Sequence, residues 1–347
     1  MGRRVPARAL GWFLELRLIP VLLWSYTAVA LGTALAFAET GAFDLVGFAV
    51  ALALGVLIQG WVTHAINEIY DWRSGTDRDQ TRRALSGGSK VLNLGLLGER
   101  DLWVVFAVST AATAVLATYA AVARAVWLVA FAVAGYGIGV AYTVPPVATS
   151  YRPYLGEWLG GFPGVLLAGL GAYAIQTLRV SSAAILVVSA HALVCLGMLT
   201  MHHYLDAPAD ARATPMKRTT VVALGPARAK RYATGLALAA AFLYAIGAVL
   251  VHPALGFGAA MTLLAAFYHM RVDPADLRSV TRNELRVIQL GIGAGLGSVA
   301  GLAPILWPIL PVAAAGYMVH LLAVAPPAAL GRAWRRAPVS ANRGDEP

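Results

Sequence analysis

The sequence predicts an all-α, polytopic membrane protein, a bundle of nine to ten transmembrane helices. Of its 347 residues, 59% are hydrophobic and only 13% are charged, and the mean hydropathy is +0.68. Soluble domains carry about 25% charged residues. Apolar runs of membrane-spanning length also recur along the whole chain, and the basic residues gather in alternate connections. These three observations exclude an ordinary soluble domain.

Ten apolar runs are long enough to span a bilayer, which takes roughly 20 mostly apolar residues. They lie at 18–38, 44–66, 102–122, 125–144, 157–177, 182–204, 231–251, 254–270, 286–304 and 305–326. Prolines interrupt the last run and could break it, so nine spans stay possible. We expect one transmembrane domain over residues 1–326 and a basic, disordered cytoplasmic tail over 327–347.

The basic residues give an independent test, because Lys and Arg in short loops stay cytoplasmic. With the N-terminus inside and ten spans, every Lys and Arg except Arg124 and Arg179 falls on the cytoplasmic side. The net charge of +10 therefore suits an anionic membrane surface and needs no nucleic acid partner. We expect a multi-pass protein of the cell inner membrane, with its N-terminus and long loops in the cytoplasm.

The two long polar loops are similar in pattern. One begins "NEIYDWRSGTDRDQTRRALSGGSK" at Asn67, and the other begins "HHYLDAPADARATPMKR" at His202. Each has acidic residues at the end of a helix and then a basic cluster. If the helices continue for another turn, Asn67 shares a face with Asp71, and Asp206 shares a face with Asp210.

Acidic pairs that face each other at a membrane surface repel, and a divalent cation relieves that repulsion. Oxygen ligands favour Mg²⁺ or Ca²⁺, and Mg²⁺ completes its shell with water and phosphate oxygens. The neighbouring basic residues therefore indicate a diphosphate site for a lipid substrate. The two pairs, Asn67 with Asp71 and Asp206 with Asp210, are the predicted metal ligands. The predicted diphosphate-binding cations are Arg82, Arg83, Lys90, Lys217 and Arg218.

Other interpretations of these residues stay open. A single carboxylate in such a loop is most often only solvated charge, so the prediction depends on the two pairs together. His64, His202 and His203 are expected to be hydrogen-bonded core groups, although a metal site built from them and Glu68 is conceivable. The glycines of "LSGGS", residues 85–89, could also wrap a phosphate with backbone N–H groups.

The chain resembles the UbiA superfamily of intramembrane prenyltransferases over about residues 15–305. The resemblance is carried by "NEIYDWRSGTD", "RRALSGGS", "AYTVPPVATSYRPYLGE", "DAPAD" and "KRT". The first motif is most similar to the 1,4-dihydroxy-2-naphthoate branch of menaquinone synthesis. The resemblance implies nine helices around a central cavity, Mg²⁺ as cofactor, and prenyl transfer from an isoprenyl diphosphate to an aromatic or quinone-precursor acceptor. It also implies that the metal is held by the two acidic motifs, at Asn67, Asp71 and Asp77 and at Asp206 and Asp210.

Prenyl transfer requires that an allylic carbon–oxygen bond break, so catalysis depends on stabilising the departing diphosphate. We assign this role to Asp71 and Asp206 through the metal. Tyr142 and Tyr151, predicted to lie in the loop after the fourth helix, could steady the leaving group or the carbocation.

Two departures from the family keep other functions open. Glu68 replaces the usual Asp, and "HHYLD" stands where quinone-pathway members usually read like "NNLRD". A terpene cyclase of the same family, which acts without an acceptor, is one alternative. A secondary transporter or cation channel with carboxylates at matching places in two halves is the other.

Overall fold

The computed structural model describes residues 4–78, 85 and 87–324, and within them the chain forms ten long helices and no strand. Except at the two long polar loops, short connections join successive helices and make them antiparallel. We number them α1 Ala7–Thr40, α2 Leu45–Ser74, α3 Glu99–Ala123, α4 Val126–Thr143, α5 Gly156–Thr177, α6 Ser182–His202, α7 Pro226–Leu250, α8 Leu255–Arg271, α9 Leu277–Leu302 and α10 Pro304–Val324.

Nine of the helices in the described part of the chain are long and apolar enough to cross a membrane. The remaining one, α8, has 17 residues, the lower limit for a span, and packs between α7 and α9. The chain is therefore an integral, multi-pass membrane protein, and the predicted helix bundle is confirmed. The predicted tail at 327–347 lies outside the described residues.

Several helix ends differ from the predicted ones. Helix α2 continues to Ser74 and is capped by Gly75, whose φ of 88° favours glycine. Helix α9 begins at Leu277 because Asp276 caps it by accepting a hydrogen bond from the Ser279 N–H at 2.7 Å. The prediction that Tyr142 lies in a loop is wrong, since it belongs to the last turn of α4.

The first helix is bent. An initial segment, Arg4–Glu15, is followed by Arg17 in the left-handed conformation (φ 50°), and the helix resumes at Leu18. Left-handed backbone interrupts the i to i+4 hydrogen bonds of a right-handed helix. The bend sets the segment before Arg17 apart from the buried part of α1.

Helix α6 lies at the centre of the bundle. It contacts α1, α5, α7 and α9, and about four fifths of the residues in its most apolar stretch are buried. By contrast, fewer than a third of the residues in the apolar stretches of α3, α4 and α10 are buried, and Val108, Val122 and Val312 are exposed. Their apolar outer faces suit contact with lipid tails, which need no polar partner.

Close packing between α1 and α5 depends on glycine. A Cβ atom on Gly32 would overlap with the carbonyl oxygen of Gly169, so the two backbones could not approach as they do. Small residues at such crossings let membrane helices pack closely, which is a main source of their association.

We therefore expect Gly32→Ala to lower the free energy of unfolding by about 1–3 kcal/mol, the usual cost of overpacking. Gly293→Ala in α9 is the matched control, because a Cβ atom there would meet nothing within 4 Å. Thermal unfolding of the two variants in the same detergent measures the difference. Equal midpoints would show that the α1–α5 crossing can relax.

Candidate active site

Helices α1–α6 and α9 enclose a cavity of about 260 Å³. One end is polar and includes Asp71, Asp77, Asp206 and Lys217. The rest is apolar and reaches Ala51, Ala120, Leu128, Phe131 and Ile175. Ala51 and Asp71 lie twenty residues apart on α2, so the cavity is roughly 30 Å long at 1.5 Å per residue. It combines a charged mouth with an interior almost as long as the hydrocarbon core is thick.

The cavity wall departs from regular α-helix in three places. π-helical turns occur at Leu22–Tyr26, Val56–Thr63 and Gly156–Gly161, and each contributes residues to the lining. The first two are joined by a bond from the Ser25 N–H to Gln59 Oε1 at 3.1 Å. Such turns are frequent at functional sites because they displace the helix locally.

Asp71 is the centre of the polar end. Its carboxylate accepts hydrogen bonds from Lys217 Nζ at 2.6 Å, Tyr151 OH at 2.7 Å and Asn67 Nδ2 at 3.0 Å. Asn67 also donates to Thr143 Oγ1 on α4 at 3.1 Å. The predicted sharing of one helix face by Asn67 and Asp71 is confirmed.

Lys217 connects the two acidic segments. Its side chain is 8% exposed, its Nζ donates to Asp71, and its backbone N–H donates to the carbonyl oxygen of Asp210 at 3.0 Å. Burial by itself would lower the pKa of Lys217, but Asp71, Asp210 and Asp77 outweigh burial and raise the pKa well above its usual value. Lys217 is therefore held as a cation at the cavity mouth.

Asp77 and Glu68 are both buried beside Gly88. A Cβ atom on Gly88, whose φ is +71°, would overlap with Glu68 and lie 2.7 Å from Asp77 Oδ2, so the position requires glycine. Burial raises the pKa of Asp77 well above its usual value, and the charges of Asp71 and Glu68 raise it further. This crowding of like charges is the situation that a divalent cation would relieve.

The loop that follows is held by carboxylates. The Ser89 N–H donates to Glu68 at 2.7 Å, and its hydroxyl donates to Glu15 at 2.6 Å. Gly87 and Gly88 line the cavity beside them. Sequence reasoning missed Glu15, which is fully buried at the end of the first helical segment.

The two residues of the second acidic pair, Asp206 and Asp210, lie in different surroundings. The Asp210 N–H donates to the Asp206 carbonyl oxygen at 2.9 Å, so the pair lies within one helical turn. Asp206 lines the cavity, whereas Asp210 is fully buried and does not contribute to the wall. The predicted shared face therefore does not bring both side chains to the cavity.

The predicted cations and tyrosines lie in different places. Tyr142 lines the cavity, and Tyr151 lies behind Asp71. Lys90 is buried beside a smaller cavity next to Arg17, and burial lowers its pKa to about 8. Arg218 is exposed and does not line the main cavity. Arg82 and Arg83 lie outside the described residues.

The histidines do not form the alternative metal site. His202 Nδ1 lies 2.7 Å from Glu284 Oε1 on α9, and Glu68 instead accepts from Ser89. Within the described ranges, no three His, Cys, Asp or Glu side chains are placed to hold an ion by themselves. Glu284 was missed, although a signal existed: it shares the apolar helix face of Val280 and Ile288.

The fold and site define a polytopic membrane protein in which acidic and basic side chains meet at the mouth of a long apolar cavity. The chain belongs to the UbiA prenyltransferase family, whose sequence profile matches residues 25–289. The family predicted from the sequence motifs is thereby confirmed. A search of curated proteins gives no match.

Solved structures share this fold at low identity. A UbiA homolog from Archaeoglobus fulgidus bound to GPP and Mg²⁺ is 19% identical, with a TM-score of 0.57 over 83% of this chain and 99% of that chain. The same homolog bound to DMAPP and Mg²⁺ is 19% identical, with a TM-score of 0.59 over 82% of this chain and 99% of that chain. A digeranylgeranylglyceryl phosphate synthase is 12% identical, with a TM-score of 0.56 over 84% of this chain and 98% of that chain.

The Asp71–Lys217 pair should be detectable as a coupling energy. We expect Lys217→Met to destabilise the protein by about 3 kcal/mol, because Asp71 then stays buried without its cation. Asp71→Asn added to that variant should recover much of the loss. Thermal unfolding of the single and double variants in detergent measures this coupling energy as a double-mutant cycle.

Arg218→Met is the matched control, because the neighbouring cation is exposed and should leave stability within about 0.5 kcal/mol of the starting protein. If Lys217→Met and Arg218→Met had equal effects, the ion pair would not contribute as the geometry indicates.

Proposed function

We propose that this protein transfers a prenyl group from an isoprenyl diphosphate to a hydroxylated aromatic or quinone-precursor acceptor within the membrane. The observation that carries the proposal is the joining of a charged mouth, with Asp71, Asp206 and Lys217, to an apolar cavity roughly 30 Å long at 1.5 Å per helical residue. A diphosphate needs a cationic site, and its hydrocarbon tail needs an apolar one.

The donor would place its diphosphate at the mouth and its tail between α2, α3, α4 and α5. Pockets for such ligands are mainly apolar with a few polar groups that fix orientation. Family membership supports this placement, as do the GPP and DMAPP complexes of the Archaeoglobus fulgidus homolog. The prediction that the acceptor belongs to menaquinone synthesis is part of the proposal.

Mg²⁺ fits the residues at the mouth. The candidate ligands that line the cavity are Asp71, Asp77 and Asp206, with Asn67, whose amide nitrogen already donates to Asp71 and Thr143 and so leaves its oxygen available. When bound, the ion would supply positive charge against the departing diphosphate. Since no three-residue set in the described structure holds an ion alone, diphosphate oxygens would complete its coordination.

The chain's own groups then have separable roles. Lys217 presents a buried ammonium to the diphosphate as the carbon–oxygen bond breaks and its electron pair leaves with the oxygen. Tyr151 and Asn67 orient Asp71 by hydrogen bonds. Tyr142 offers a ring face to the allylic cation, and the apolar wall keeps water from trapping that cation.

The proposed orientation places the mouth at the cytoplasmic side of the inner membrane, where a soluble diphosphate head group could arrive. The basic residues of the loops at this end support it through the positive-inside rule. Lys90, Arg82, Arg83 and Arg218 stay predicted contributors to diphosphate capture, and of these only Lys90 is buried in the described structure.

We expect purified protein in detergent to release diphosphate from geranylgeranyl diphosphate only with Mg²⁺, and to prenylate 1,4-dihydroxy-2-naphthoate or 4-hydroxybenzoate. Asp71→Asn and Asp206→Asn should each lower turnover about 100-fold or more, because donors and ions at the site act on the leaving group. Mass spectrometry of lipid products and a diphosphate assay measure both effects.

Asp273→Asn, an exposed carboxylate on another loop, is the control and should keep full turnover. Diphosphate release without acceptor, with a cyclic hydrocarbon or alcohol as product, would replace the transferase by the cyclase. Normal turnover in both site variants would contradict the assignment of the site, and ion flux in proteoliposomes without any turnover would favour a transporter.

Donor length should depend on the middle of the cavity. Gly135 lines it on α4, seven residues below Tyr142 and therefore roughly 10 Å from the mouth. We expect Gly135→Phe to lower the kcat/KM for geranylgeranyl diphosphate at least tenfold more than for geranyl diphosphate, since only the longer tail must pass this level.

Gly137→Phe on the same helix is the matched control, because Gly137 is exposed on the outer surface and a Cβ atom there meets nothing. Competition assays with the two donors measure the ratio. An unchanged ratio in Gly135→Phe would show that the tail takes another path.

A further inference from the structure

A buried acid holds a histidine at the boundary between the charged and apolar parts of the cavity. Glu284 on α9 is 1% exposed, His202 at the end of α6 is 15% exposed, and their side chains meet at 2.7 Å. Both residues line the cavity. Neither side chain belongs to the acidic pairs, and the proposed departure of diphosphate uses neither.

The contact selects one tautomer of the neutral imidazole. A carboxylate can only accept hydrogen bonds, so Nδ1 donates to Glu284, and in the neutral ring Nε2 is the nitrogen that keeps a lone pair. A buried carboxylate behind an imidazole also stabilises the imidazolium that forms when Nε2 accepts a proton. His202 and Glu284 therefore make a dyad suited to general base catalysis.

The position of the dyad matches the place where an acceptor would meet the donor. His202 precedes Asp206 by four residues, about one helical turn, on the membrane side of the mouth. Met198 and Leu199 lie one turn deeper on α6, and Ile288 lies one turn further along α9. The imidazole is thus next to the region between the diphosphate and the tail, where the reacting carbon of the donor would lie.

We propose that His202 is the general base that takes the acceptor's hydroxyl proton, and that Glu284 is the residue that positions it; this rests on the proposed prenyl transfer. The acceptor O–H bond breaks, the proton goes to Nε2, and the O–H electron pair enters the ring. A ring carbon forms the new bond to the first carbon of the donor, while the electron pair of the breaking carbon–oxygen bond leaves with diphosphate. Loss of the proton that this ring carbon carried, or of CO2 where it carried a carboxylate, then restores the aromatic ring, and the ring oxygen takes back a proton from Nε2.

A purely structural role is the competing explanation, since the same contact ties α6 to α9. His202→Gln separates the two, because the glutamine amide can still donate to Glu284 but cannot act as a base. His202→Ala opens a gap that added imidazole can fill. His252→Ala, in the connection between α7 and α8, is a control histidine outside the cavity.

The experiment uses the full-length protein in detergent with Mg²⁺, geranylgeranyl diphosphate and 1,4-dihydroxy-2-naphthoate. It measures prenylated product, free prenol and diphosphate. We expect His202→Gln and His202→Ala to lower product formation about 100-fold, within the usual range for a general base. Diphosphate release should fall much less, so prenol should accumulate. Imidazole in the buffer should restore product formation in His202→Ala. The control His252→Ala should keep the product formation of the wild-type protein, and imidazole should leave it unchanged.

Glu284→Gln should lower product formation less than His202→Gln does, and Glu284→Asp should recover part of that loss. Full product formation by His202→Gln, or a loss in His202→Ala that imidazole does not restore, would overturn the assignment of the base. Failure of the proposed function would be distinct, because the wild-type protein itself would then form no prenylated product, whether it released no diphosphate or released it without an acceptor.

Discussion

The bond between Lys217 and Asp71, at 2.6 Å, is the interaction on which the site depends. It joins the end of α2 to a loop that is 146 residues away in the chain. A backbone bond from the Thr214 N–H to the Ser74 carbonyl oxygen, at 2.9 Å, runs beside it. Two segments rich in carboxylates would otherwise repel at the protein surface, so a shared buried cation is what lets them lie together. The cavity mouth is built on this junction.

The opposite end of the bundle is closed by a different set of charges. Arg124 pairs with Asp44 at 3.4 Å and donates to the Ile175 carbonyl oxygen, and Arg179 pairs with Glu39 at 3.0 Å. These two arginines are the exceptions to the predicted distribution of positive charge. Each pairs with an acid where α1 meets α2, since Glu39 lies in the last turn of α1 and Asp44 caps the start of α2. Both arginines are therefore held in ion pairs at this end of the bundle.

The sequence predicts the helices well because a bilayer demands a certain length of apolar chain, which any window of residues reveals. Prediction from the sequence fails where polar residues continue a helix, as between Asn67 and Ser74, because the composition of that stretch is typical of a loop. It also could not separate Lys217 from Arg218, which differ in burial and not in local pattern. Glu15 and Glu284 act on partners 74 and 82 residues away, so no local motif contains them.

The electrostatics of the cavity mouth explain how the site can lower the stability of the ligand-free protein and still favour one kind of ligand. Asp77 is buried beside Asp71 and Glu68, a conflict that raises its pKa, while Lys217 neutralises only part of the charge. A well-packed protein without a ligand would be more stable with fewer buried acids. Local conflicts of this kind persist where a ligand resolves them. A divalent cation with its diphosphate is one ligand that would do so, because the ion neutralises the carboxylates and Lys217 then faces the anion that the ion brings.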